Sequence, residues 1–118
     1  MMIQHNTAVE FLNGHTIGAD APPFFIAGPC VIESEQLLNT VAKEIRRVSD
    51  KYNVLILFKS SFDKANRSSI DSFRGPGIHE GLALLKSTAA KYNLPTLTDI
   101  HTPEEGVIAA SYVDMLQI

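Results

Sequence analysis

Cysteine is nearly absent: the 118 residues hold one, Cys30. A single thiol cannot close an internal disulfide, so a reducing cytoplasm is the default compartment. No apolar run approaches the ~18–20 residues that a membrane span requires. The opening "MMIQHNTAVEF" has neither the basic start nor the continuous apolar stretch of a secretory leader. Cationic charge is scarce too. Ten Lys and Arg face thirteen Asp and Glu, for a formal net charge of −3 and a pI near 5.7. Such a surface does not draw nucleic acid or anionic lipid over its whole extent, so any anion site has to be local. Fixed-period repeats, low-complexity tracts and flexible linkers are missing as well. With 45% hydrophobic and 19% charged residues, the composition fits one modest globular domain.

What is present is an alternation. Segment 1–19 reads as an N-terminal hairpin, with arms at "AVEF" and "TIG" across Leu12-Asn13-Gly14-His15. Asn-Gly is the dipeptide best able to take the positive φ of a tight turn. "DAPP" at 20–23 then ends pairing, because proline offers no ladder donor. From 24 to 118 strands and helices take turns. "FFIAG" (24–28) is a short apolar run. Residues 34–52 follow as a helix opened by Ser34 and Glu35, with Leu37, Val41, Ile45, Val48 and Tyr52 on its core face. "VLILFK" (54–59) is apolar throughout, as suits a strand buried on both faces. Residues 78–92 are helical, with Ile78, Leu82, Leu85, Ala89 and Tyr92 on one side. "TLTDI" (96–100) is a third strand, Thr102-Pro103-Glu104-Glu105 opens a short helix with a capping box, and "VDMLQI" (113–118) is a fourth strand.

This order is that of a parallel α/β fold. Polar residues gather where the strands end: Cys30, Lys59 and Ser61, Asp99 and His101, Gln117. The carboxyl ends of the strands form the active face of α/β barrels and of doubly wound sheets alike. A closed (β/α)8 barrel needs about 200–250 residues. An open sheet would leave the last apolar strand without a covering helix. The reading is therefore a single partial domain over 1–118, the first half of a (β/α)8 barrel behind a hairpin. Its two open sheet edges would call for self-association or a partner.

Between the second strand and the second helix lies "KSSFDKANRSSIDSFRGPG" (59–77). It gathers Lys59, Lys64, Arg67 and Arg74, four of the ten cations, among serines, an asparagine and glycines. A basic loop is ordinarily a solvated surface. Short polar side chains and accessible amides at these offsets favour an anion instead. Gly75-Pro76-Gly77 reads as a turn, and His5, His15 and His79 as surface residues. A lone cysteine is more often a small buried hydrophobe than a ligand.

"KSSFDKANRSS" with "FRGPG", together with "FIAGPCVIES", "TLTDIHTPEE" and "DMLQI", resembles the 3-deoxy-D-manno-octulosonate 8-phosphate synthases over residues 7–118. The related sugar-acid synthases of the shikimate pathway share a similar first strand but look more like K-P-R-T-S at the second. The resemblance implies a (β/α)8 barrel, usually a homotetramer, that joins phosphoenolpyruvate to arabinose 5-phosphate in lipopolysaccharide precursor synthesis. It implies no nucleic-acid or membrane partner. Lys59, Ser61 and Lys64 would then contact phosphoenolpyruvate, with Lys64 also beside the aldehyde. Asn66, Arg67 and Ser68 would hold the sugar phosphate. Asp99 would lie by the sugar, His101 close to the site and Gln117 at the pocket's fourth strand. Lys64, Asn66 and Asp99 would be the catalytic residues. Cysteine at position 30 implies the class that binds a divalent metal, zinc, iron(II) or manganese, with its other ligands beyond residue 118. Two alternatives stay open: a non-catalytic half-barrel remnant, and a heptulosonate 7-phosphate synthase using erythrose 4-phosphate.

Overall fold

The computed structural model describes residues 8–18, 20–63 and 75–118. A hairpin comes first, β1 (Val9–Leu12) antiparallel to β2 (His15–Ile17), with Leu12 opposite His15 across Asn13-Gly14. Gly14 takes the positive φ, 88°, that the two-residue turn demands. Then β3 (Phe24–Ala27), α1 (Glu35–Tyr52), β4 (Leu55–Lys59), α2 (Ile78–Lys91), β5 (Thr96–Asp99), α3 (Pro103–Ala109) and β6 (Met115–Gln117) follow in the expected alternation. The four later strands form one parallel sheet in the order β3-β4-β5-β6. This is the arrangement of a partial (β/α)8 barrel. Among the described residues no helix is long and apolar enough to cross a membrane.

The helices begin where their caps allow. Ser34 accepts the Leu37 amide and opens α1, and Asn53, in the left-handed region, closes it. Thr102 and Glu105 form the full capping box of α3, with Pro103 in its first turn. The outer surface of α1 carries the Arg47–Glu44 pair, whose hydrogen bond holds the exposed Glu44 carboxyl below its ordinary range.

All three helices meet the sheet on one face. Leu38, Ala42 and Ile45 of α1, Leu82, Leu85 and Ala89 of α2 and Ala109 of α3 share a buried cluster with Ile56 and Phe58 of β4. Leu57 and Leu97 are just as buried yet stand outside that cluster. By strand alternation they belong to the opposite face, along with Lys59 and Asp99.

One expectation about burial needs correction. The buried stripe of α1 runs through Leu38, Ala42, Ile45 and Ser49, so Leu37, Val41 and Val48 flank it and Tyr52 is 61% exposed. Ser49 is buried because its hydroxyl donates to the Val54 carbonyl, a role that apolar spacing alone does not register. The apolar β3 is an edge strand, with Phe25 and Ile26 about half exposed, because among the described residues only β4 pairs with it.

Candidate functional site

The four sheet strands are parallel, so their carboxyl ends open on the same side. Lys59, half-buried, ends β4, Asp99 ends β5, and Gln117 lies opposite Asp99 in the β5–β6 register. Ser61 follows β4 and forms an isolated parallel bridge with Val31. Its amide donates to the Cys30 carbonyl at 3.2 Å, and its own carbonyl accepts from Ile32 at 2.9 Å. The cysteine loop after β3 is thereby tied to the end of β4. Gly28 permits the approach, since a Cβ there would stand 1.8 Å from the Lys59 carbonyl oxygen.

One carboxylate organises the mouth. The Ser61 hydroxyl donates to Asp99 Oδ1, and His101 Nε2 lies 3.4 Å from Asp99 Oδ2, an ion pair when the imidazole is protonated. Asp99 keeps only 20% of its side chain exposed, against 40% for His101. The His101 amide donates to Glu105 Oε1 at 2.8 Å, so the α3 capping box also fixes the chain that carries the imidazole. A hydroxyl has a single hydrogen. While Ser61 gives it to Asp99, Ser61 meets any other ligand only as an acceptor.

The structure thus gathers Lys59, Ser61, Asp99 and Gln117 at one mouth, with Cys30 attached through its backbone and His101 beside Asp99. Cys30 is exposed, contrary to the buried-hydrophobe alternative for a lone cysteine. Lys64, Asn66, Arg67 and Ser68, the core of the basic motif, lie outside the described residues, as do Ser69 and Arg74. Among the described residues no three His, Cys, Asp or Glu stand close enough together to hold a metal ion. A soft divalent ion at this mouth would find one thiolate, Cys30, and would draw its other ligands from elsewhere.

Sequence reasoning missed two residues. Ser60 and Thr98 are wholly buried at the same strand ends. The only signal in the sequence is a polar residue at a helix-facing position at or just past the end of each strand, which does not by itself show burial. A cleft of about 950 Å3 lies at the other end of the sheet, between the hairpin and the strand starts. Polar groups there already engage one another: Arg46 pairs with Asp50 at 2.6 Å, and Asp114 accepts from the Thr96 amide at 2.9 Å. The residue types that suit anion chemistry are at the opposite mouth.

Comparison with known proteins bears on that mouth. Residues 3–118 match the model of the DAHP synthetase I family. A 2-dehydro-3-deoxyphosphooctonate aldolase of Paracidovorax citrulli is 51% identical over 90% of this chain and 37% of its own length. Proteins of the same name from Stenotrophomonas maltophilia and Protochlamydia amoebophila are 52% and 46% identical, over 90% and 86% of this chain. The chain spans little more than a third of the length of these curated relatives, 37–38%.

Proposed function

We propose, from the premise that the chain belongs to the DAHP synthetase I family, that it supplies the N-terminal strands of an octulosonate 8-phosphate synthase. The reaction joins C3 of phosphoenolpyruvate to the aldehyde carbon of arabinose 5-phosphate while water adds at C2 and phosphate leaves, in the cytoplasm, as a step toward lipopolysaccharide. The observation that carries this reading is the joining of Lys59, Ser61 and Asp99 at one strand mouth, directly before the segment "DKANRSS".

Two phosphorylated anions repel each other, and fixed cations on one wall offset that repulsion. Lys59 presents a compact ammonium for the phosphate or carboxylate of phosphoenolpyruvate. Ser61 turns its hydrogen from Asp99 to the arriving anion, and Asp99, released from that bond, faces the sugar aldehyde. His101 stays beside Asp99 and sets its orientation. Lys64, beside the aldehyde, and Asn66, Arg67 and Ser68 at the sugar phosphate take the roles of the family motif. A divalent ion held in part by Cys30 would supply a Lewis-acid position next to the aldehyde. Association of copies into a tetramer, and no nucleic-acid partner, complete the reading.

The test is direct. The complete coding product is incubated with both substrates and zinc, iron(II) or manganese in turn. Release of phosphate together with an eight-carbon keto acid is expected, and erythrose 4-phosphate should compete poorly. Absence of both products with every metal overturns the synthase assignment and leaves a non-catalytic chain. Preference for erythrose 4-phosphate would move the assignment to a heptulosonate synthase.

A further inference from the structure

The β3–β4 and β4–β5 ladders stop short of the mouth. Pairing of β3 with β4 ends at Ala27 and Phe58, and pairing of β4 with β5 ends at Lys59 and Leu97. Beyond those points the Val31–Ser61 bridge supplies backbone bonds to the cysteine loop, and two hydroxyl groups add further cross-strand connections. Ser60 Oγ donates to the Pro29 carbonyl at 2.8 Å, and Thr98 Oγ1 donates to the Ser60 carbonyl at 2.8 Å. Both side chains are fully buried. The Thr98 link is buried and the Ser60 link part-buried, and losing either leaves a carbonyl without that partner.

The two links form a single path, Thr98 to Ser60 to Pro29, crossing from β5 to the loop after β3. The residue beyond Pro29 is Cys30, and the residue beyond Ser60 is Ser61. Consecutive residues of an extended chain point to opposite faces. Ser60 accordingly reaches back toward β3 on the helix side, while Ser61 reaches Asp99 at the mouth. We propose that Ser60 and Thr98 are positioning residues: beside the backbone bridge, their buried hydroxyls fix the spacing of the Cys30 loop against the Ser61–Asp99 pair. That this spacing serves catalysis rests on the synthase reading above. That the hydroxyls set it does not.

Cys30 is the chain's one cysteine and is exposed, so a thiol reagent reports on it alone. In chelator, the 118-residue chain is treated with Ellman's reagent as parent, Ser60→Ala, Thr98→Val, Thr98→Ser and Ser49→Ala. Ser49 is the control, a buried hydroxyl bonded to the Val54 carbonyl at the far end of the sheet. Thr98→Val keeps the shape and loses the donor, whereas Thr98→Ser keeps the donor. Loosening the loop should raise the Cys30 rate about three-fold or more in Ser60→Ala and Thr98→Val, the scale of one modest hydrogen bond. Thr98→Ser and Ser49→Ala should stay close to the parent, even where melting shows Ser49→Ala to be as destabilised as the others.

Parental rates in Ser60→Ala and Thr98→Val overturn the proposal, as does an equal rise in Ser49→Ala or no rescue by Thr98→Ser. If Ser60→Ala does not fold, the Thr98 pair decides alone. A parallel assay of the complete coding product separates the two claims. An inactive parent removes the synthase reading while the thiol rates still decide the positioning. An active parent should lose kcat in Thr98→Val with its KM for phosphoenolpyruvate little changed.

Discussion

Asp99 accepts the Ser61 hydroxyl with one oxygen and faces His101 with the other. Converting it to asparagine removes the charge that holds both neighbours and leaves Ser61 freer to donate elsewhere. In the complete coding product, Asp99→Asn should lower kcat about 100-fold or more, the scale of a lost acid–base or charge-stabilising group. KM for phosphoenolpyruvate should not rise. Steady-state kinetics with phosphoenolpyruvate varied at saturating sugar checks this, and an unchanged kcat with a raised KM would reassign Asp99 to simple binding. The residue types of the site were legible in the sequence because each stands at a strand end, where Lys59, Asp99 and Gln117 break an apolar run. The bond between Ser61 and Asp99 was not legible, since 38 positions separate them and only the parallel register brings them together. Ser60 and Thr98 escaped for a related reason. A serine or threonine reads as neutral until burial shows which carbonyl it serves.

Helix α3 has only seven residues, too few to be stable from propensity alone. Its capping box matters correspondingly more, and Glu105 accepts from the amides of both Thr102 and His101. Thr102→Ala should cost about 1 kcal/mol, read as a lower urea midpoint. Faster hydrogen exchange should follow at Gly106 and Ala110, whose amides bond back to Thr102 and Gly106. Unchanged exchange there would mean that packing of Ala109 against α2, not the cap, holds the helix. Element order and caps came through from sequence because Asn-Gly, Ser34 and Thr102-Pro103 are local signals. The faces were less exact. In α1 the buried line passes through Ala42, which joins the shared core, and Ser49, which serves the Val54 carbonyl, and no apolar pattern within α1 records either.

At the scale of the molecule, the sheet ends in two strands that each pair on one side among the described residues. On β3 the exposed Phe25 and Ile26 add apolar area to free backbone groups, a combination that invites another strand. The 12.9 kDa chain should therefore elute above its monomer mass, increasingly so at higher concentration. Ile26→Lys should shift it back, as a charge on an edge strand opposes pairing. A parent that stays monomeric throughout would remove the edge argument. The neighbouring serines that follow β4 carry one further consequence, for the comparison of related sequences. Ser60 and Ser61 serve opposite faces, so one residue inserted or deleted between 55 and 59 would exchange their duties and turn Lys59 toward the helices. An alignment that opens a gap inside this strand describes a different site, however high its identity. Differences in length among relatives have to be absorbed between the strands and the helices.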